Sequence, residues 1–349
     1  MKTKILIFLL CINSTVAFSQ SKYAVADSLA AVVKGDNISA IHSSLTKNLK
    51  TDEEKVRAFY SWIAHNIRYD VEEYVRKDKL PIRQETAQVL KMKKGLCQGY
   101  STVFRDFCKL SGIPCYYIVG FARIDGKYYG EGHSWDIVFV NGKWQQVDAT
   151  WGAGKVDNNK KYVKEFTEEY FFTEPVAFLA EHYPLDPMWQ LVNYPVKQAD
   201  LKMSNWSYKE KTTPYFSFND TIAKWEQLDS LQKNYTAAQR MLRYSPDEPI
   251  AKQELSYAYF DLGDDVFEKG NIIINEYLKP SNQSDATTRD NRYKLAQLDS
   301  VDNYYKQADF YYRQVKPTTS QDKAFLKTTF ETLKYNGDIV KGEKVLLKK

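Results

Sequence analysis

Cysteine and histidine are scarce in this 349-residue chain, four of each, and neither recurs at a metal-binding interval. With no Cys-x-x-Cys and no His-x-x-x-His pair, zinc binding has no support, and no metal or other cofactor is expected. A Gly-x-Ser-x-Gly elbow is missing, so nothing signals a serine nucleophile. No acidic loop of the EF-hand kind occurs, which removes the sequence basis for a calcium switch. The net charge is only +5, and basic residues cluster briefly, at Lys91 to Lys94 and Lys160 to Lys161. Clusters this short read as solvated surface rather than a phosphate track, so nucleic acid is not an expected partner. No run is apolar and long enough to anchor the chain permanently in a bilayer, and no membrane span is expected.

What is present begins with "MKTKILIFLLCINSTVAFSQ": two lysines, an apolar core from Ile5 to Leu10, and Ala-Phe-Ser before Gln20. This pattern reads as a signal peptide over residues 1–19, removed on export. Cys11 follows Leu10 rather than a small residue, which argues against lipid attachment there. The expected location is periplasmic or secreted, an oxidising compartment. Without Lys2 and Lys4 the charge falls to +3, and Cys97, Cys108 and Cys115 remain. An odd number leaves at least one thiol unbridged in a monomer. Cys97 and Cys108 would sit roughly 16 Å apart along a helix, too far to bridge. A Cys108–Cys115 disulfide is open, with two buried thiols the favoured state.

Residues 20–50 read as a helical lead-in. Thr51 and Glu54 form a capping box before a helix with Val56, Phe59, Ile63 and Ile67 at helical spacing. A short helix is expected from Thr86 to Met92. The stretch "KKGLCQGYSTVFRDFCKLSGIPC" follows, with a glycine turn and then a helix whose stripe is Tyr100, Phe104, Phe107 and Leu110, stopped by Gly112 and Pro114. Cys97 therefore stands at a helix start. "CYYIVGFAR" reads as a buried strand, Asp125-Gly126 as a turn, and "HSWDIVFV" and "KWQQVD" as strands joined by Asn141-Gly142. Residues 152 to 170 are polar and expected to loop, and "EHYPLDPMWQLVNYPV" reads as an extended strap. Helical runs are expected at 222–243, 250–262, 266–278, 293–315 and 323–335, with breaks at Gly263 and Pro317. Their spacing is too irregular for a repeat family. Helical packing without chemistry is the favoured reading of this tail, and a protein partner for it stays open.

A two-residue hairpin loop pairs Val140 with Lys143 and carries Asp148 opposite Trp135. His133 lies two residues from Trp135 on the same face, which makes His133 and Asp148 diagonal neighbours about 7–8 Å apart at Cα. Such a pair suits a thiol at a helix N-terminus. The imidazole and the helix dipole favour the thiolate, and the carboxylate holds the imidazole in its working tautomer. The Cys97 backbone N–H is a natural oxyanion donor, and no second donor is identified. Taken singly, a cysteine at a helix start is more often a buried small residue, a strand histidine a satisfied polar group, and Asp148 a strand end. Their conjunction carries the argument.

Together, "GLCQGYSTVF", "SGIPCYYIVGFA", "HSWDIVFVNGKWQQVDATWG" and "WIAHNIRYD" resemble the transglutaminase-like superfamily, a branch of the papain-like cysteine fold. With "HYPLDPMWQL" they are most similar to its kyphoscoliosis-peptidase-like and cytokinesis-protein-like branch. The resemblance runs from about Thr51 to Val196. It implies an α+β fold, with a nucleophile helix packed on an antiparallel sheet over residues 51–200; the tail lies outside the resemblance, and its linker at 201–221 and all-α region at 222–349 are expected from the change of pattern alone. The resemblance also implies Cys97 as nucleophile, His133 as base and Asp148 as orienting acid. Some members of this branch lack the catalytic residues and act as scaffolds, whereas all three positions here are competent. The leading expectation is an exported cysteine peptidase that cleaves peptides or proteins through a thioester. The alternatives are acyl transfer to an amine, or a non-catalytic peptide- or glycan-binding scaffold using Tyr116, Tyr117, Trp135, Trp144 and Trp151.

Overall fold

A computed structural model describes residues 22–76, 84–124, 126–203, 206–279 and 291–348. The expected signal peptide and Asp125 of the expected turn lie outside the described residues. The lead-in is two helices, α1 (Ala24–Val32) and α2 (Ile38–Thr46). Helix α3 (Asp52–Asn66) opens on the expected Thr51/Glu54 capping box, and its first turn is acidic, which suits the positive end of the helix dipole. Strand β1 (Arg68–Tyr69) and helix α4 (Val71–Tyr74) follow. Next come α5 (Thr86–Met92), β2 (Lys94–Gly95), which pairs in parallel with β1, and α6 (Cys97–Leu110). On α6, Tyr100, Phe104 and Phe107 are fully buried as the spacing predicts, whereas Leu110, in the last turn, is 45% exposed.

Strands β3 (Cys115–Ile124), β4 (Lys127–Val140) and β5 (Lys143–Val147) build the sheet. Strand β3 is not buried throughout, since Val119 and Ile124 are exposed. Asn141 and Gly142 both have positive φ, 55° and 76°, the geometry of a tight primed turn. The observed pairs run from Val140↔Lys143 to Asp136↔Val147, the register expected from the sequence. After β5, Asp148 starts a short helix, α7 (Ala149–Ala153). The segment expected to be a loop contains a hairpin instead: β6 (Gly154–Val156) pairs antiparallel with β7 (Tyr162–Lys164). Strand β8 (Phe171–Thr173), helix α8 (Pro175–Leu179) and strand β9 (His182–Pro184) follow. The five-stranded sheet has the order β8-β5-β4-β3-β9. The strap beyond β9 contains a buried 3-10 turn (Pro187–Gln190) and then α9 (Gln198–Leu201).

The rest of the chain is helical: α10 (Phe218–Glu226), α11 (Ser230–Tyr244), α12 (Pro249–Tyr277), α13 (Asn291–Gln314) and α14 (Ser320–Leu347). Two helices expected on either side of Gly263 are one 29-residue helix, α12. Gly263 breaks nothing because its missing side chain is filled by a neighbour: a Cβ there would fall 2.6 Å from the Tyr312 ring. Pro317 does lie in a break, between α13 and α14.

The chain divides into two compact units, Met1–Tyr117 with Trp135–Phe172, and Ile118–Ser134 with Thr173–Lys349. In the first, Phe59 of α3 stacks on Phe107 of α6 at 5.0 Å between ring centroids, and Trp62 meets Phe107 edge-on at 5.6 Å. The Arg57 side chain is fully enclosed there and is held by Asp27 and Glu168. In the second unit one apolar cluster gathers Phe121, Tyr183, Leu185, Val192 and Val196, and another gathers α12, α13 and α14.

Candidate active site

The turn before α6 is built by backbone geometry. Lys93, at the end of α5, takes the left-handed conformation at φ 53°, and Leu96 is extended, at φ −82° and ψ 178°. The Leu96 carbonyl accepts from the N–H groups of Gly99 (2.9 Å) and Tyr100 (3.1 Å), which makes Leu96 the cap and Cys97 the first helical residue. Tyr100 anchors this end through its hydroxyl, which donates to the Ile67 carbonyl at 2.9 Å. Cys97 is half-buried at the positive end of a 14-residue helix, where an anion is favoured. None of the three described cysteines forms a disulfide. Burial pushes the Cys115 thiol well above its ordinary pKa, and a hydrogen bond with Cys108 adds to this, so Cys115 is a poor nucleophile.

Asp148 stands one step beyond the last β4–β5 pair, the place expected opposite Trp135. Its side chain is inaccessible to solvent. Oδ1 accepts from the N–H groups of Thr150 (2.8 Å) and Trp151 (3.1 Å), so the carboxylate also caps α7. Its own N–H donates to the Tyr170 carbonyl at 2.9 Å. Burial raises the pKa of Tyr60 and Tyr100 well above 10.0, and the charge of Asp148 raises each further. Beside Asp148 the Trp135 indole N–H donates to Gln146 at 3.2 Å, both groups buried. Of the aromatics weighed for a binding cleft, Trp135 is buried completely, and Trp144 packs against Tyr116 and Phe139.

His133 lies on the other unit's portion of β4 and is 8% exposed. A second histidine accompanies it, because the His182 ring centroid lies 5.4 Å from that of His133. His182, fully buried on β9 opposite Ala122 of β3, stacks on Phe178 at 3.9 Å. In the sequence His182 stands out only as part of the strap. Cys97 and Asp148 thus belong to one unit and His133 to the other.

Residues 39–149 match the family model of the transglutaminase-like superfamily, a stretch that includes Cys97, His133 and Asp148. The kyphoscoliosis peptidase of Mus musculus is 33% identical over 175 residues, which make up 48% of this chain and 26% of that protein. The kyphoscoliosis peptidase of Homo sapiens is 34% identical over 160 residues, 44% of this chain and 24% of the relative. Hillarin of Drosophila melanogaster is 28% identical over 169 residues, 42% of this chain and 20% of hillarin. The chain spans about a quarter or less of the length of these relatives.

Proposed function

Since the chain carries a transglutaminase-like domain, we propose that it is an exported cysteine peptidase acting on peptides or proteins, with Cys97, His133 and Asp148 as its catalytic triad. His133 takes the proton of the Cys97 thiol, and the thiolate attacks the carbonyl of an amide bond. The tetrahedral intermediate collapses to a thioester as the imidazolium of His133 gives its proton to the departing amine. Water, activated by the same imidazole, then releases the acid and restores the thiol. Asp148 orients the imidazole and stabilises its charged form.

The observation that carries this reading is the pairing of positions in the first unit. A cysteine opens a 14-residue helix, and a buried carboxylate ends a strand whose register matches the one expected of a His-Asp pair. A thiol placed merely to fill space has no use for that helix end.

Iodoacetamide or the epoxide E-64 at neutral pH, followed by mapping of the adduct, tests the assignment. Cys97 should be modified well before Cys108 and Cys115, and equal labelling in the folded protein would remove it as nucleophile. A peptide library with and without a lysine analogue then separates hydrolysis from amine transfer, and cleavage is expected to dominate. Faster amine incorporation would replace the peptidase reading with a transglutaminase one.

A further inference from the structure

We infer that Gln84 is the positioning residue for the nucleophile, clamping the turn on both sides of Cys97; this rests on Cys97 being the nucleophile. The Gln84 side-chain carbonyl accepts from the Leu96 N–H at 2.7 Å. In return, the Gln84 backbone N–H donates to the Gln98 side-chain oxygen at 3.3 Å. Leu96 and Gln98 are the residues immediately before and after Cys97. One residue thirteen positions upstream therefore holds both neighbours of the thiol.

The two glycines of G-L-C-Q-G make room for this clamp. A Cβ at Gly99 would lie 2.5 Å from the Gln84 amide oxygen and 2.9 Å from Val89, and a Cβ at Gly95 would lie 3.1 Å from the same oxygen. Gln84 is 8% exposed, so its amide is enclosed where it does this. Gly99 follows Cys97 by two residues, about 200° around the helix, so the clamp packs behind the thiol rather than beside it. Gln84 therefore acts through the turn and touches no substrate. The Leu96 N–H lies just outside the helix, where no intrahelical carbonyl can take it, and a part-buried donor left unpaired would pull the turn open. The resulting fraying of the first turn would weaken the field that favours the Cys97 thiolate.

The test is the rate of Cys97 alkylation by iodoacetamide as a function of pH in the full chain. Gln84→Met keeps the volume and removes the acceptor. It should lower the rate at pH 7 about tenfold and move the rate–pH midpoint up by about one unit. Val89→Ala loosens the same packing without touching the acceptor, and it should keep the parent midpoint. A Gln84→Met profile that matches the parent, or an equal shift in Val89→Ala, overturns the inference. Should Gln84→Met fail to fold, Gly99→Ala takes its place: alanine is the better helix former, yet its Cβ displaces the amide, so a folded variant must show the same shift. A folded Gly99→Ala with the parent profile also overturns the inference. If Cys97 of the parent reacts no faster than Cys108 and Cys115, the nucleophile assignment falls and takes this inference with it. A reactive parent with an indifferent Gln84→Met removes the clamp alone.

Discussion

Arg240→Met should strongly destabilise the unit that holds the helical tail, and by an amount that depends on pH. Asp186, just after β9, is fully buried and accepts from Arg240 of α11 at 2.7, 2.9 and 3.2 Å. It also accepts from the Met188 N–H at 3.2 Å, a weaker contact. Removing one partner of a buried ion pair costs about 3–5 kcal/mol, because the remaining charge is left uncompensated. Burial holds the Asp186 carboxyl above its ordinary pKa of 3.8, and Arg240 pulls it back only in part. In the variant that pull is gone and the folded-state pKa rises further. A carboxyl whose pKa is raised by folding contributes its stability below the unfolded value and loses it as pH rises through the folded one. The variant should therefore lie closest to the parent near pH 4, and fall behind by at most about 1.4 kcal/mol for each further pH unit. Urea unfolding of both proteins at pH 4.5, 5.5 and 7 measures this, with Asp186→Asn/Arg240→Met as the control that recovers most of the loss. A deficit that stays the same across these pH values would refute the reasoning, since it would mean that lost packing rather than an unpaired carboxylate sets the cost.

His133→Ala should slow alkylation of Cys97 at pH 7 by about tenfold or more and move its profile toward that of an ordinary thiol, with a pKa of about 8.5. Unchanged reactivity would make His133 structural. Gly152→Ala should cost about 2–4 kcal/mol in a denaturant titration, although alanine is the better helix former. A Cβ there would fall 2.0 Å from the hydroxyl of Tyr60, which is buried and donates to the Thr167 carbonyl at 2.7 Å; a neutral or stabilising result would contradict the contact. A protease nick between residues 206 and 217, where the backbone is irregular, should leave two fragments that co-elute on gel filtration. The Asp186–Arg240 pair and the Tyr183–Ser245 hydrogen bond join residues on either side of the nick, and fragments that part in buffer would show those bonds too weak to hold.

Features written in adjacent residues were legible in the sequence. The capping box of α3 and the Asn141-Gly142 turn are local, and the turn alone sets the β4–β5 register that carries Asp148 to its place. What escaped depends on partners far along the chain. Strands β6 and β7 have three residues each, too few for alternation to show. Their pairing is enforced at Gly154, where a Cβ would meet the Val163 carbonyl at 2.2 Å. Gly263 reads as a helix break on propensity, and only the Tyr312 ring packed against it explains why α12 continues. His182 reaches His133 because β9 pairs with the edge of β3, some sixty residues upstream, and no hairpin signal marks that pairing.

The glycines flanking the candidate site are explained by what stands against them rather than by backbone freedom. Gly95, ahead of Cys97, reads in the sequence as part of a turn. Neither Gly95 nor Gly99 has positive φ, and Gly152, four residues after Asp148, does not either. Their conformations are open to any residue, so backbone freedom cannot be what requires glycine. Each instead faces a specific side chain where a Cβ would stand, Gln84 for the two beside Cys97 and Tyr60 for the one beyond Asp148. In both places the missing side chain lets a distant residue pack against the backbone close to a candidate site residue. The motif "GLCQG" thus encodes a cavity for a partner, and its meaning becomes visible only with Gln84 in view.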